Sequence, residues 1–259
     1  IGLLLAGVEA SSQPNVSAAA SVATVLAGLA LLVLAAVHLH RAPHPLIGLA
    51  PLRIATFRVT AVGGSAFRMA ISAAPFLLPL MFQLGLGYTA VQSGALLLWL
   101  FVGNLVMKPA TSRIMNRFGF RNVLVGNGLL VAAGFVACAM VTAATPYWLI
   151  CVLLTFTGMT RSMQFTALNT IGFADVPQPQ MRDATTLFSV LQQMNAGMGI
   201  AVGALALAVA EALHGTVAGM AAAADFRLAF WFIAGIALLA VADSLALPAN
   251  AGSRVLNSR

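Results

Sequence analysis

The chain has 259 residues, of which 61% are hydrophobic and only 7% are charged, and its formal net charge is +7. Soluble domains carry about 25% charged residues, because their surfaces need them for solvation. This composition excludes an ordinary soluble protein and predicts an integral membrane protein whose first partner is the lipid bilayer. The long uncharged segments lack the alternating pattern of barrel strands, so they predict transmembrane helices and an all-α fold.

Eight apolar segments follow one another along the chain, separated by polar or charged connections. The first, residues 1–8, is too short to span a bilayer and has no initiator methionine. We therefore expect the sequence to begin midway through a helix. The other spans are expected at residues 21–37, 62–84, 91–109, 123–142, 147–172, 185–213 and 228–247.

The positive charges fall on alternate connections between these spans. The connections after the second, fourth and sixth spans and the C-terminal tail hold ten of the 13 Lys and Arg residues. Lys and Arg concentrate on the cytoplasmic side of membrane proteins, so the pattern predicts a multi-pass topology with a cytoplasmic C-terminus. It also accounts for the net charge without a nucleic-acid partner, since no basic face with interleaved aromatic residues accompanies it.

The cations are densest in MKPATSRIMNRFGFRNVLV, residues 107–125. This stretch resembles the short-loop signature of the major facilitator superfamily, roughly G-x-x-x-D-R-x-G-R-R, with Asn116, Arg117, Gly119 and Arg121 at matching positions. Ser112 replaces the first glycine, Asn116 the aspartate and Phe120 one arginine. The resemblance implies a cytoplasmic loop that latches a helix pair against the other half of a transporter. The alternative is a turn whose charges serve topology alone.

Three further segments resemble the fourteen-helix drug:proton antiporter-2 branch of that superfamily. They are FRMAISAAPFLLPLMFQLGLGYTAVQSG, TGMTRSMQFTALNTIGFADVP and SVLQQMNAGMGIAVG. Between the second and third spans, the amphipathic PLIGLAPLRIATFR predicts an interfacial cytoplasmic segment and a domain boundary. Residues 1–57 would then hold two transmembrane helices, the first truncated, and residues 58–250 a six-helix bundle. The resemblance implies that this bundle is the C-terminal half of a transporter and that two extra helices precede it. Residues 251–259 would form a cytoplasmic tail.

The same resemblance implies a proton-coupled multidrug efflux transporter of the bacterial inner membrane that works by alternating access. Its partners would be drug-like small molecules, protons and an absent N-terminal half carrying the coupling carboxylates. No cofactor is expected. Open alternatives are an exporter of another small solute, such as a sugar, metabolite or siderophore, or a complete eight-helix membrane enzyme or assembly factor. The chain has no recognisable catalytic motif, so we expect a protein that is not an enzyme.

Polar side chains inside the expected spans are candidates for a substrate cavity, because polarity at this depth cannot face hydrocarbon. The alternative is hydrogen bonding between helices. The candidates are Arg161, Gln164, Asn169, Gln192, Gln193 and Asn195. Gly199 and Gly203, four residues apart, are expected to allow another helix to pack closely.

Two charged residues inside the expected spans form a candidate ion pair. Arg68 and Asp243 both lie near the cytoplasmic side, at similar depth. Asp243 could instead reach water at the interface or take part in a proton relay. A metal site at His38, His40 and His44 lacks a fourth ligand, so no metal is expected.

Overall fold

The computed structural model describes residues 48–216 and 220–245, without the side chains of Val62 and Asp243. These residues form six long helices and no strand, which confirms the predicted all-α fold. The short 3₁₀ helices Ala50–Arg53 and Gln178–Gln180 precede the first and fifth long helices. The long helices are α1 (Ala55–Gly85), α2 (Ala90–Phe118), α3 (Phe120–Ala139), α4 (Tyr147–Phe173), α5 (Met181–His214) and α6 (Ala223–Leu245).

Five of these six helices are long and apolar enough to cross a membrane. The exception among the described helices is α4, which has 27 residues but carries Arg161 and several amide and hydroxyl side chains. It packs against both α2 and α3. Ser162 and Gln164 on α4 are buried there, whereas Arg161 is only half-buried.

The helix bounds lie within five residues of the predicted spans, except at the beginning of α1 and the end of α2. The predicted second bundle span ends at Pro109, whereas α2 continues to Phe118 with that proline inside it. Proline removes one backbone donor but does not have to end a helix whose next turns are packed. Thr111 and Met115 beyond it are both buried, so packing holds the helix together.

Helix α1 begins earlier than predicted and contains two π-helical stretches, Val59–Gly63 and Met81–Gly85. The amphipathic segment from Gly48 into the first turn of α1 packs its apolar side onto one end of the bundle. Its predicted position at the membrane surface stays a prediction. The Phe57 ring is fully buried, with its centroid 6.1 Å from that of Phe173 and 6.3 Å from that of Phe188. Residues 48–57 thus pack over the end of α4 and the beginning of α5.

Long-range packing joins α2 to α4, α1 to α5, and α3 to α6. Glycines bring the first two pairs close together, because a Cβ on Gly103 or Gly158 would collide with the facing backbone of α4 or α2. On α5, a Cβ on Gly199 would meet the Met69 backbone of α1, and one on Gly203 would meet Ala73. The expected close packing at Gly199 and Gly203 is confirmed.

One end of the bundle is rich in cations. It holds the beginnings of α1, α3 and α5 and the ends of α2, α4 and α6. The charged side chains described there include Arg53, Arg58, Arg113, Arg117, Arg121 and Arg182. At the opposite end the described charges are Arg227, Glu211 and Asp225, and the last of these accepts a 2.6 Å contact from His214 Nδ1.

Candidate functional site

Arg161 lies near the middle of α4, about 20 Å along the helix axis from either end at about 1.5 Å per residue. Its side chain is half-buried. The guanidinium carbon stands 5.9 Å from the centroid of the Phe165 ring, one turn further along. No hydrogen bond or ion pair joins Arg161 to another side chain in the described part of the chain. It is therefore a cation at depth with only an aromatic neighbour to stabilise it.

Asn169 continues the same side of α4, two turns beyond Arg161. Its Oδ1 accepts a 3.4 Å hydrogen bond from Arg68 Nη2 on α1. The side of α4 that carries Arg161, Phe165 and Asn169 therefore turns toward α1. We call these three residues the α4 polar face.

Arg68 is almost fully buried where α1, α4 and α5 meet. Its Nη1 donates a 2.8 Å hydrogen bond to the carbonyl of Thr60, which lies in the π-helical stretch. The guanidinium carbon also lies 4.7 Å from the centroid of the Phe188 ring on α5. The absence of a side chain at Gly64 leaves room for it, since a Cβ there would come within 2.8 Å of Nη1. Carbonyl, amide and aromatic groups thus surround this cation.

The expected partner of Arg68 was Asp243, whose side chain lies outside the described residues. The ion pair therefore stays a prediction. The neutral partners of Arg68 leave its Nε without an acceptor among the described groups.

Gln164 does not point into open space, because it is fully buried between α3 and α4. Its Oε1 accepts a 2.8 Å hydrogen bond from Asn127 Nδ2, which also donates to the Thr160 carbonyl at 2.8 Å. Gln164 Nε2 donates to the Leu124 carbonyl at 3.4 Å. Gln164 therefore forms hydrogen bonds between helices, which was the alternative to lining a substrate cavity.

Asn195 is also buried, on the side of α5 that meets α1. Its Nδ2 donates a 2.9 Å hydrogen bond to Ser65 Oγ, which donates to the Ala61 carbonyl at 2.6 Å. Asn195 joins the two helices and does not face a cavity.

Gln192 and Gln193 differ from Asn195, because both side chains are exposed. Gln192 lies one turn beyond Phe188, whose ring centroid is 4.9 Å from that of Phe173 on α4. Thr185 and Ser189 precede the two glutamines on the same side of the helix and are exposed as well. We call Thr185, Ser189, Gln192 and Gln193 the α5 polar strip.

The basic motif forms a one-residue turn between α2 and α3. Gly119 has φ 75° and ψ 158°, a conformation that is essentially restricted to glycine. Arg121 Nη2 donates a 3.1 Å hydrogen bond to the carbonyl of Leu245 at the end of α6. Asn116 and Arg117 remain exposed. The turn is as predicted, whereas the latch stays a prediction.

A further apolar groove of about 760 Å³ lies between the first halves of α2 and α4, away from the basic turn. It is lined by Trp99, Tyr147, Trp148, Cys151, Val152, Thr155, Phe156 and Met159. This groove could not be predicted from the sequence, because its walls are ordinary apolar membrane residues. Asn127 was also missed as a buried polar residue, although an amide in an apolar span was a usable signal. No group of residues suited to a metal ion occurs within the described ranges.

Residues 1–204 match the Major Facilitator Superfamily, which is well over half of the chain. The chain belongs to the major facilitator superfamily. This membership, together with the helices that can cross a membrane, makes it a multi-pass membrane protein of a transporter family.

Individual relatives within the superfamily are also similar. The "Probable transport protein HsrA" of Haemophilus influenzae is 34% identical over 208 residues, covering 80% of this chain and 44% of the relative. The "Putative multidrug resistance protein MdtD" of Serratia proteamaculans is 30% identical over 188 residues, covering 73% and 39%. The protein of that name from Citrobacter koseri is 28% identical over 260 residues, covering 99% and 53%.

The chain therefore spans about half the length, or less, of these superfamily relatives. The resemblance to the major facilitator superfamily, and within it to a drug-transporter group, is confirmed by the family match and by these relatives.

Proposed function

We propose that this chain is the C-terminal part of a proton-coupled multidrug efflux transporter of the bacterial inner membrane, with a cytoplasmic C-terminus. The observation that carries the proposal is polarity at depth in an apolar bundle. The α4 polar face and the α5 polar strip hold charged and amide side chains that are not all used in packing. Such groups in a membrane mark a pathway for a polar solute or ion.

The rest of the cavity wall would come from a second half of the complete gene product. The names of the relatives support transport and drug resistance, and the chain covers 39% of one relative and 53% of another. We propose that the two halves rock about a site near the middle of the membrane, which is how transporters with repeated halves alternate their access.

The substrate class follows from the mixture of side chains. Many exposed residues on these helices are large and apolar, and the amides of Gln192 and Gln193 add a few hydrogen-bonding groups. A pocket of this kind suits amphipathic, drug-like molecules, because apolar area supplies affinity and a few polar groups supply orientation.

Proton coupling is expected to use carboxylates from the remainder of the gene product. The described carboxylates Asp175, Asp183, Glu211 and Asp225 all lie near helix ends and not at mid-depth. Asp243 near the end of α6 would then be a partner for Arg68 at the cytoplasmic surface.

The basic turn would contribute to alternating access as a latch. Arg121 is occupied by the end of α6 within this bundle. Asn116 and Arg117 are exposed and can meet the other half. We expect a weak latch, since asparagine lacks the charge of the aspartate in the superfamily signature.

The test is dye efflux by the complete gene product in a bacterial strain that lacks its main drug pumps. We expect energised efflux of ethidium or rhodamine 6G that stops when a protonophore is added. The double variant Gln192→Ala, Gln193→Ala should slow efflux roughly fivefold, the effect of losing about 1 kcal/mol of hydrogen bonding to the substrate.

Gln178→Ala is the matched control, because Gln178 is exposed but lies in the 3₁₀ helix outside the α5 polar strip. It should leave efflux unchanged. Efflux that persists in the presence of the protonophore would refute proton coupling. Equal rates in the double variant and the control would remove the α5 polar strip from the substrate path.

A further inference from the structure

Arg161 is the described cation whose surroundings leave it least satisfied. A guanidinium near the middle of a membrane helix is costly unless it is paired or hydrated. Arg68 has a carbonyl, an amide and an aromatic ring beside it, although its Nε has no acceptor among the described groups. Arg161 has the Phe165 ring alone, 5.9 Å away. A cation–π contact at that distance compensates only part of the cost.

No described carboxylate can reach Arg161. Asp175 and Asp183 follow the end of α4, about 18 Å or more along its axis from Arg161, and Glu211 and Asp225 lie at the opposite end of the bundle. An anion that meets Arg161 would therefore not be one of these four described carboxylates.

The neighbourhood of Arg161 strengthens its preference for an anion. Arg68 bonds to Asn169 on the same side of α4, so two guanidinium groups bias this side toward positive potential. Arginine also presents two parallel donors that match the two oxygens of a carboxylate. A neutral acceptor would gain less than a carboxylate, and a cationic group would be repelled.

We propose that Arg161 is a binding point for a carboxylate that reaches the α4 polar face from outside the bundle. The proposal rests on the proposed function, because it assumes that the α4 polar face lines the transport path. The carboxylate has two possible sources. It is either an anionic group on the substrate or an acidic side chain elsewhere in the complete gene product.

The test measures the electrostatic potential beside Arg161 with charged thiol reagents. Phe165→Cys is introduced into the complete gene product after all native cysteines, including Cys138 and Cys151, are replaced by alanine. The two reagents are methanethiosulfonates, one with an anionic ethylsulfonate group and one with a cationic ethyltrimethylammonium group. Each rate of modification is divided by the rate at which the same reagent modifies mercaptoethanol in solution. The measurement requires no transport, so it is independent of the dye-efflux test.

We expect Arg161→Gln to lower the ratio of anionic to cationic rates by up to about a hundredfold. One unit charge about 6 Å away at an effective dielectric constant of about 40 changes each rate about tenfold, in opposite directions for the two reagents. Arg161→Lys should keep most of the ratio, which also controls for folding. Arg113→Gln should not change it, because Arg113 is exposed at the cation-rich end of α2.

The two sources of the carboxylate give different results. If the substrate supplies it, the protein with Arg161 prefers the anionic reagent. In that case 1-naphthoate slows the modification and 1-naphthylmethanol does not, and Arg161→Gln abolishes the effect of 1-naphthoate. If an acidic side chain supplies it, the Arg161 protein shows no preference and Arg161→Gln creates one for the cationic reagent. A ratio that Arg161→Gln leaves unchanged overturns the proposal.

Discussion

At the scale of single residues, Gly119 carries the sharpest backbone constraint of the basic turn. Its φ of 75° and ψ of 158° lie where side chains with a Cβ are strained, although no atom stands within 4 Å of the position a Cβ would take. Replacing it by alanine therefore tests the backbone alone, without a steric clash.

We expect Gly119→Ala to destabilise the protein by about 1–3 kcal/mol, the usual cost of such a strained conformation. The measurement is the midpoint of thermal unfolding in detergent. Gly126→Ala is the matched control, since it lies inside α3 with open space around the added Cβ. It should be neutral or slightly stabilising. Equal midpoints for the two variants would contradict the strained turn.

The polar residues show what could be read from the sequence at this scale. A cation or amide inside an apolar span needs hydrogen-bonding partners. Arg68, Gln164 and Asn195 are indeed buried and hydrogen-bonded. The partner could not be predicted in any of these cases. The Thr60 carbonyl is available to Arg68 within a π-helical stretch, and Phe188 comes from a helix far along the chain. Such contacts depend on how helices pack.

At the scale of helices, the pair α2 and α4 depends on two glycines that face each other's backbones. A Cβ on Gly158 would collide with the Leu100 carbonyl, and one on Gly103 with that of Thr155. Backbone atoms cannot move aside as a flexible side chain can. Without a hydrophobic driving force between helices in lipid, this close packing is a main source of association.

Gly158→Ala is expected to force α2 and α4 apart and to cost about 1–3 kcal/mol, as overpacking does in protein cores. The yield of folded protein and the thermal midpoint in detergent measure the effect. Gly94→Ala, on α2 itself, adds a Cβ in open space and should leave both unchanged. A Gly158→Ala protein as stable as the Gly94→Ala protein would show that the helices do not approach this closely.

Helix ends were less predictable than helix positions. The apolar pattern located the described spans, but it placed the end of α2 at Pro109 because proline usually ends a helix. The helix continues to Phe118 because Thr111 and Met115 are buried against the bundle. The groove between α2 and α4 likewise arises from packing and leaves no mark in composition.

At the scale of the whole molecule, the proposed transport path depends on the direction in which each helix crosses the membrane. The described cations collect at one end of the bundle, and the opposite end holds Arg227 together with Glu211 and Asp225. Positive charge on the cytoplasmic side predicts that the turn at Gly119 and the end of α5 lie on opposite faces of the bilayer. The cavity, the latch and the two rocking halves all assume this arrangement.

The most direct test labels single cysteines with an impermeant maleimide in intact cells and in inverted membrane vesicles. Arg117→Cys and Leu213→Cys place them at exposed positions on the two ends, in a background without native cysteines. We expect Leu213→Cys to react in intact cells and Arg117→Cys to react only in inverted vesicles. Reaction of both cysteines from the same side would contradict the account.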